Sequence, residues 1–182
     1  MALDILIAEI SAAAARHDEA ACTLIAVHAF AAGAEQICLA IETLAGYFVG
    51  STARTPSKAS FLRFCRRYLP ELGRTDPAAA MVENPRRAIA TSAEALYAAF
   101  RGGLFHDGQR ATGLRVVDDK GKWMLSFEPD GSARLNAIPF HGQFERGLKA
   151  YLADLGRDAG FAARAERRSA FLAKPTFVMR DA

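Results

Sequence analysis

The sequence predicts a mainly helical, single-domain protein with a small β insertion, and three observations predict it. Apolar residues recur at three- and four-residue steps through most of the first hundred positions and again over 140–155. Between these regions, from about 113 to 138, the period falls to two. The 182 residues, 51% hydrophobic and 24% charged, suffice for one core but are short for two independent ones.

Each element follows in turn. Leu3, Ile7, Ile10 and Ala14 place a first amphipathic helix over 2–16. A longer second helix carries the apolar line Leu24, Val27, Ala31, Ala34, Cys38, Ile41, Ala45 and Phe48. Its alanines let neighbouring helices approach closely, so it is expected at the centre of a bundle. His28, Glu35 and Glu42 lie beside that line at heptad spacing, as a rim-facing stripe or as the edge of a site. The segment from Gly50 to Pro56 has linker composition, Ser57 is placed to cap a short helix over 58–72, and Pro70 should end or bend it. Asn84 and Pro85 offer an Asx cap and a first-turn proline for a helix through Ile89, Ala93, Leu96 and Phe100, closed by Gly102 and Gly103.

The runs "LRVVD", "KWMLSFE" and "ARLNAI", separated by "DDKG" and "EPDGS", predict a three-stranded antiparallel meander at about 113–138. Trp123, Leu125 and Phe127 would share the face that covers the bundle. Phe140, Phe144, Leu148, Tyr151, Leu152 and Leu155 return to helical spacing, with Gly156 as the stop. The tail over 157–182 mixes six basic residues, Arg157, Arg164, Arg167, Arg168, Lys174 and Arg180, with Asp158, Glu166 and Asp181. It is expected to be a partner-docking helix or a frayed end, with a basic arm as a third reading.

Composition narrows the function. A net charge of +3 permits an acidic or phosphate-bearing partner without requiring one. The start "MALDILIAEI" has no basic leader region, and the most apolar stretch is interrupted by His28, Glu35, Gln36 and Glu42, so neither export nor a membrane span is expected. Cys22, Cys38 and Cys65 form no CxxC pair and fit a reduced, cytoplasmic interior, with Cys22 and Cys38 as small apolar residues. Four dispersed histidines, no glycine-rich phosphate loop and no nucleophile elbow lead to an expectation of no metal and no cofactor.

Two stretches carry candidate chemistry. From Arg54 to Arg67 there are five basic residues and no acidic one, which makes Lys58, Arg63, Arg66 and Arg67 the candidates for RNA phosphate contacts. Phe61, Phe64 and Tyr68 interleave with them, either as stacking platforms for bases or as the buried face of the helix. The second stretch is "LYAAFRGGLFHDG", in which Arg101 precedes His106 by five positions.

This Arg-x4-His spacing near the end of a late helix resembles the hallmark of the HEPN (higher eukaryotes and prokaryotes nucleotide-binding) domains. The resemblance covers about a dozen residues in motif and the helices from about 2 to 106 in architecture. It implies a bundle of four to five helices with the β insertion as an elaboration. It further implies a metal-independent endoribonuclease in which Arg101 and His106 of two chains meet at a two-fold axis, as the effector of a toxin–antitoxin or antiphage system with a protein antitoxin as partner. The residue types suit that chemistry: histidine exchanges a proton near neutral pH, and the permanently charged guanidinium forks onto phosphate oxygens. Five residues turn a regular helix by about 140° beyond a full turn, so the pair would not share one face and a homodimer groove would have to unite them. Glu94 or Asp107 could orient His106. Gly102 stands where cleaving members often carry a polar residue, so a non-catalytic HEPN-like module for dimerisation or for nucleotide, RNA or protein binding is the alternative.

Overall fold

Helix α2, Phe30–Val49, is the axis of the fold. In the computed structural model, which describes residues 2–73, 81–84, 87–89, 91–99, 114–119, 121, 123–127 and 133–174, α2 is packed by four other helices. These are α1 (Leu3–Ala26), α3 (Lys58–Tyr68), α6 (Ala137–Arg157) and α7 (Ala159–Leu172). The axial position follows from composition: Ala34, Ala40, Ala45 and Gly46 bring neighbours close, while Ile37, Ile41, Leu44 and Phe48 fill the space between them. The central helix of the bundle is thus where its alanines predict it.

The first boundary lies elsewhere than the periodicity suggests. α1 continues past residue 16 to Ala26, so Leu24 belongs to it, and Val27 lies in the exposed turn between the helices. His28 makes that turn with a φ of 61°, in the left-handed region, and Ala29 N–H closes it on Leu24 C=O at 2.8 Å. His28 is therefore an exposed turn residue and no part of a helical seam, which leaves Glu35 and Glu42 on α2. Polar ties then fix α1 to its partners. His17 Nδ1 donates to Gln36 Oε1 (2.9 Å), while Glu9 accepts from Tyr47 of α2 (2.9 Å) and from Ser169 of α7 (2.7 Å).

Ser57 caps α3 by accepting from Ser60 N–H, and the helix stops at Tyr68 before a short α4 (Pro70–Gly73) that begins on the proline. The expected helix from Asn84 is corrected. Met81–Asn84 (β1) and Arg87–Ile89 (β2) pair antiparallel, and the helix α5 begins only at Ser92 and runs to Tyr97. Thr91 is the cap that wins: its Oγ accepts from Glu94 N–H, and Glu94 occupies the third helical position that favours an acid. An Asx-Pro pair marks a turn as readily as a helix start. The predicted stop at Gly102 and Gly103 lies outside the described residues.

The β insertion is three-stranded but is not an antiparallel meander. Its order is β3 (Leu114–Val117), β5 (Ala133–Asn136), β4 (Leu125–Phe127), with β5 parallel to β3 and antiparallel to β4. Asn136 explains the arrangement. It is fully buried at the end of β5, its side-chain amide donates to the carbonyls of Asp119 (2.8 Å) and Gly121 (3.1 Å), and its backbone N–H donates to Met124 C=O. The "DDKG" turn is therefore held onto β5, which lies between the two runs that the turn connects. Met124 is buried here and Leu125 packs, partly buried, against the core as expected, whereas Trp123 lies under Arg134 at 5.2 Å.

α6 starts directly after β5 and passes through Gly156 to Arg157. Asp158 then caps α7 by accepting from Gly160 and Phe161 N–H groups. The first part of the predicted tail is accordingly a helix and not a frayed end: α7 folds back onto α2, burying Phe161, Ala165 and Arg168 on one face.

Arg168 is 4% exposed. Its guanidinium donates to the carbonyls of Ser51 (3.0 Å), Ala53 and Arg54 (3.0 Å), just past the C-terminal end of α2. Arg164 adds a bond to Phe48 C=O at 3.0 Å. Two glycines make room. A Cβ at Gly46 would stand 3.1 Å from Arg168 Nε, and Gly50, at a φ of 65°, closes the helix in the left-handed conformation while its missing Cβ would lie 2.8 Å from Arg164 C=O. Arg168→Ala is expected to destabilise the protein by roughly 3 kcal/mol, because the buried guanidinium loses its packing together with its bonds to three carbonyls of the segment after α2. Arg168→Lys should recover less than half of that, since an ammonium cannot fork to all three. Urea unfolding of the three proteins measures both.

Candidate functional site: an arginine groove between α3 and α7

Helix α3 divides sharply. Phe61, Phe64, Cys65 and Tyr68 are buried, whereas Arg63, Arg66 and Arg67 are exposed. The spacing of the aromatics therefore marks the core face of the helix, and base stacking by Phe61, Phe64 or Tyr68 is excluded by their burial. The arginines on the other side face α7 across a groove of about 580 Å³, lined by Phe48, Arg63, Arg66, Arg67, Asp158, Phe161 and Arg164.

The floor of this groove is aromatic and its walls are cationic. Arg67 and Arg164 both lie over the Phe161 ring, at 4.9 and 4.4 Å, and Arg63 lies over Phe48 at 5.7 Å. The ring faces attract the guanidinium groups and hold them at the groove. Four arginines line the groove against one carboxylate, Asp158, whose Oδ1 is already engaged by the first N–H groups of α7.

The four cations are not equivalent. Arg67 donates to Asp154 Oδ2 at 2.8 Å and to Tyr68 Oη at 3.1 Å, and Tyr68 donates in turn to Asp154 at 3.0 Å. The hydrogen bond from Arg67 holds the Asp154 carboxyl below the usual range, and the reciprocal bond to Asp154 raises Arg67. Tyr68 is pushed up to about 12, chiefly by burial. Arg164 is anchored on Phe48 C=O. Arg63 and Arg66, by contrast, have no carboxylate partner among the described residues.

The structure thus brings three of the sequence-predicted RNA contacts, Arg63, Arg66 and Arg67, to one surface. Lys58 is half-buried at the start of α3 and does not line the groove. Arg164, Phe161 and Phe48 were not among the expected site residues. Their signal lay in the tail's arginine pattern and in the end of the α2 apolar line, and only the fold-back of α7 unites them. Arg101, His106 and Asp107 lie outside the described residues. Glu94 is half-buried on α5, with its backbone N–H capped by Thr91. Comparison with protein-family models, with curated proteins and with solved structures found no significant match to this chain. Among the described residues no helix is long and apolar enough to cross a membrane.

The Arg67–Asp154 pair gives a pH signature with a definite sign. Because the folded carboxyl is depressed, its stabilisation is present above the unfolded value of about 3.8 and is lost as pH falls through the lower folded value. Asp154→Asn is expected to lower stability by a constant amount from neutral pH down to about pH 5, after which the gap to the parent closes below about 3.8. Urea midpoints measured across that range check it; a gap that does not narrow would remove the pair from the account.

Proposed function

We propose that the α3–α7 groove binds the phosphate backbone of RNA, and that the protein is a HEPN-type, metal-independent endoribonuclease. The binding half rests on one observation: guanidinium groups of two helices converge on a groove whose aromatic floor holds them, and two of these groups, Arg63 and Arg66, have no carboxylate partner among the described residues. Guanidinium groups match phosphate oxygens bidentately. The cleavage half rests on the resemblance at Arg101 and His106. In that reading Arg101 stabilises charge on the phosphate, His106 moves the proton of the attacking 2′-hydroxyl, and Glu94 or Asp107 orients the imidazole, with a homodimer bringing two copies together. An acidic antitoxin protein would cover the same basic surface.

Binding without cleavage is the second reading. The described residues of α3 and α7 alone set four arginines on one groove, so an RNA-binding or dimerisation module would use the same walls.

Two measurements separate these readings. In fluorescence anisotropy with a single-stranded RNA, the Arg63→Ala/Arg66→Ala double variant is expected to bind at least tenfold more weakly. Its salt slope should fall by about 1.4, the loss of two single-strand phosphate contacts. Unchanged affinity and slope would dismiss the groove as the RNA site. In excess EDTA, RNA cleavage lost in both Arg101→Ala and His106→Ala supports the ribonuclease, whereas binding that persists with no cleavage by the parent protein favours the module.

A further inference from the structure

A second cluster of chemical groups lies on the α1–α6 pair, away from the arginines. Asp18 and Cys22 are four residues apart on α1 and so share a face; His141 faces them from the first turns of α6. His141 Nε2 stands 2.7 Å from Asp18 Oδ1 and 3.5 Å from Cys22 Sγ, and the three donor atoms lie within 4.8 Å of one another. The sequence places Cys22 as a small apolar residue, but it is exposed, unlike Cys38 and Cys65, which are buried. A solvent-reachable thiol held against an imidazole and a carboxylate has no packing role to account for it.

We propose that Asp18, Cys22 and His141 form a binding site for a divalent ion of the zinc class, bridging α1 and α6. The donor set selects the metal: a thiolate with an imidazole suits zinc and disfavours magnesium or calcium, which take oxygen ligands. The geometry fits closely. A tetrahedral ion with Zn–S of about 2.3 Å and Zn–N of about 2.0 Å sets its sulfur and nitrogen ligands about 3.5 Å apart, which is the present Cys22–His141 separation. The nitrogen and oxygen ligands would sit about 3.3 Å apart, so the partly exposed Asp18 carboxylate withdraws by about 0.6 Å as the ion replaces the proton between it and His141. Glu145, one turn beyond His141 on α6, and Glu19 both lie near enough to act on the Cys22 thiol, and they add negative charge around the ion. The fourth coordination position faces solvent. On binding, the Cys22 thiol proton passes to the buffer, and His141, ligating through Nε2 as the neutral imidazole, carries its ring proton on Nδ1.

This site owes nothing to the ribonuclease reading, and its test has its own readouts. The full chain, stripped with a chelator and dialysed, is titrated with zinc chloride by calorimetry and, separately, with cobalt chloride by absorbance. One zinc per chain is expected, with affinity lowered at least tenfold in both Cys22→Ser and His141→Ala. Cobalt should give a near-ultraviolet thiolate-to-metal charge-transfer band that Cys22→Ser abolishes. Circular dichroism confirms that each variant is folded, and a variant that fails this check is replaced by Asp18→Asn at the same site. No zinc uptake, uptake that the variants leave unchanged, or a cobalt complex without the charge-transfer band would each overturn the proposal.

Discussion

The closure of the C-terminal end of α2 by two arginines of α7 is the contact on which the rest of the molecule depends. A helix end presents carbonyls without intrahelical partners and a partial negative charge. Here the Gly50 and Ser51 N–H groups close two of those carbonyls, Tyr47 and Gly46, and the arginines serve Phe48 and the segment that follows the helix. Arg168 supplies donors to Ser51, Ala53 and Arg54, and Arg164 supplies one to Phe48. Burial lowers the Arg168 guanidinium from its ordinary value, yet an arginine stays charged under such a cost where a lysine would be more readily neutralised. Because α7 must lie across α2 to deliver these groups, Phe161 is set beside Phe48 at 5.5 Å, and the same docking builds one wall of the arginine groove.

The basic residues consequently separate into those that the fold consumes and those that it leaves available. Arg168 is committed to carbonyls, Arg164 to Phe48 and the Phe161 ring, and Arg67 to Asp154 and Tyr68. Exposed ion pairs such as Arg67–Asp154 add little to stability, but they fix side-chain direction. Arg67 is thereby held at the groove by Asp154 and Tyr68, while Arg63 and Arg66 carry charge that no described carboxylate neutralises. A net charge of +3 says nothing of this sorting; it arises from which arginines face α2 and which face solvent.

The helical frame was legible in the sequence because it rests on periodicity. α2 as the axis, Ser57 as a cap, Pro70 as a break and the core spacing of α6 all follow from patterns within one element. The errors share a cause: each required knowing what an element touches. The α1–α2 boundary turns on His28 taking a left-handed conformation, for which no glycine signalled the position. The strand order turns on Asn136 reaching the 119–121 turn, a contact between residues fifteen or more positions apart. The docking of the tail helix on α2 is not legible either, because its arginines look solvated in sequence although two of them satisfy backbone carbonyls. Of the candidate site, the cations of α3 could be read from sequence, but their partners on α2 and α7 could not, since Phe48, Asp158 and Phe161 are ordinary core and capping residues until the fold gathers them.

α6 relates the two chemical regions. His141 stands near its beginning and Asp154 near its end, thirteen residues apart, or about 20 Å along a regular helix. One end of the helix therefore meets the thiol and carboxylate of α1, and the other positions Arg67 at the groove. A zinc ion at the first end and metal-independent chemistry elsewhere are compatible, because they ask different things of the protein. Phosphate charge would be met by guanidinium groups that are cationic at any physiological pH, whereas the zinc would act by joining α1 to α6. Under these two proposals, binding would fall to arginines that the core does not need and bracing to a cysteine that the core does not bury.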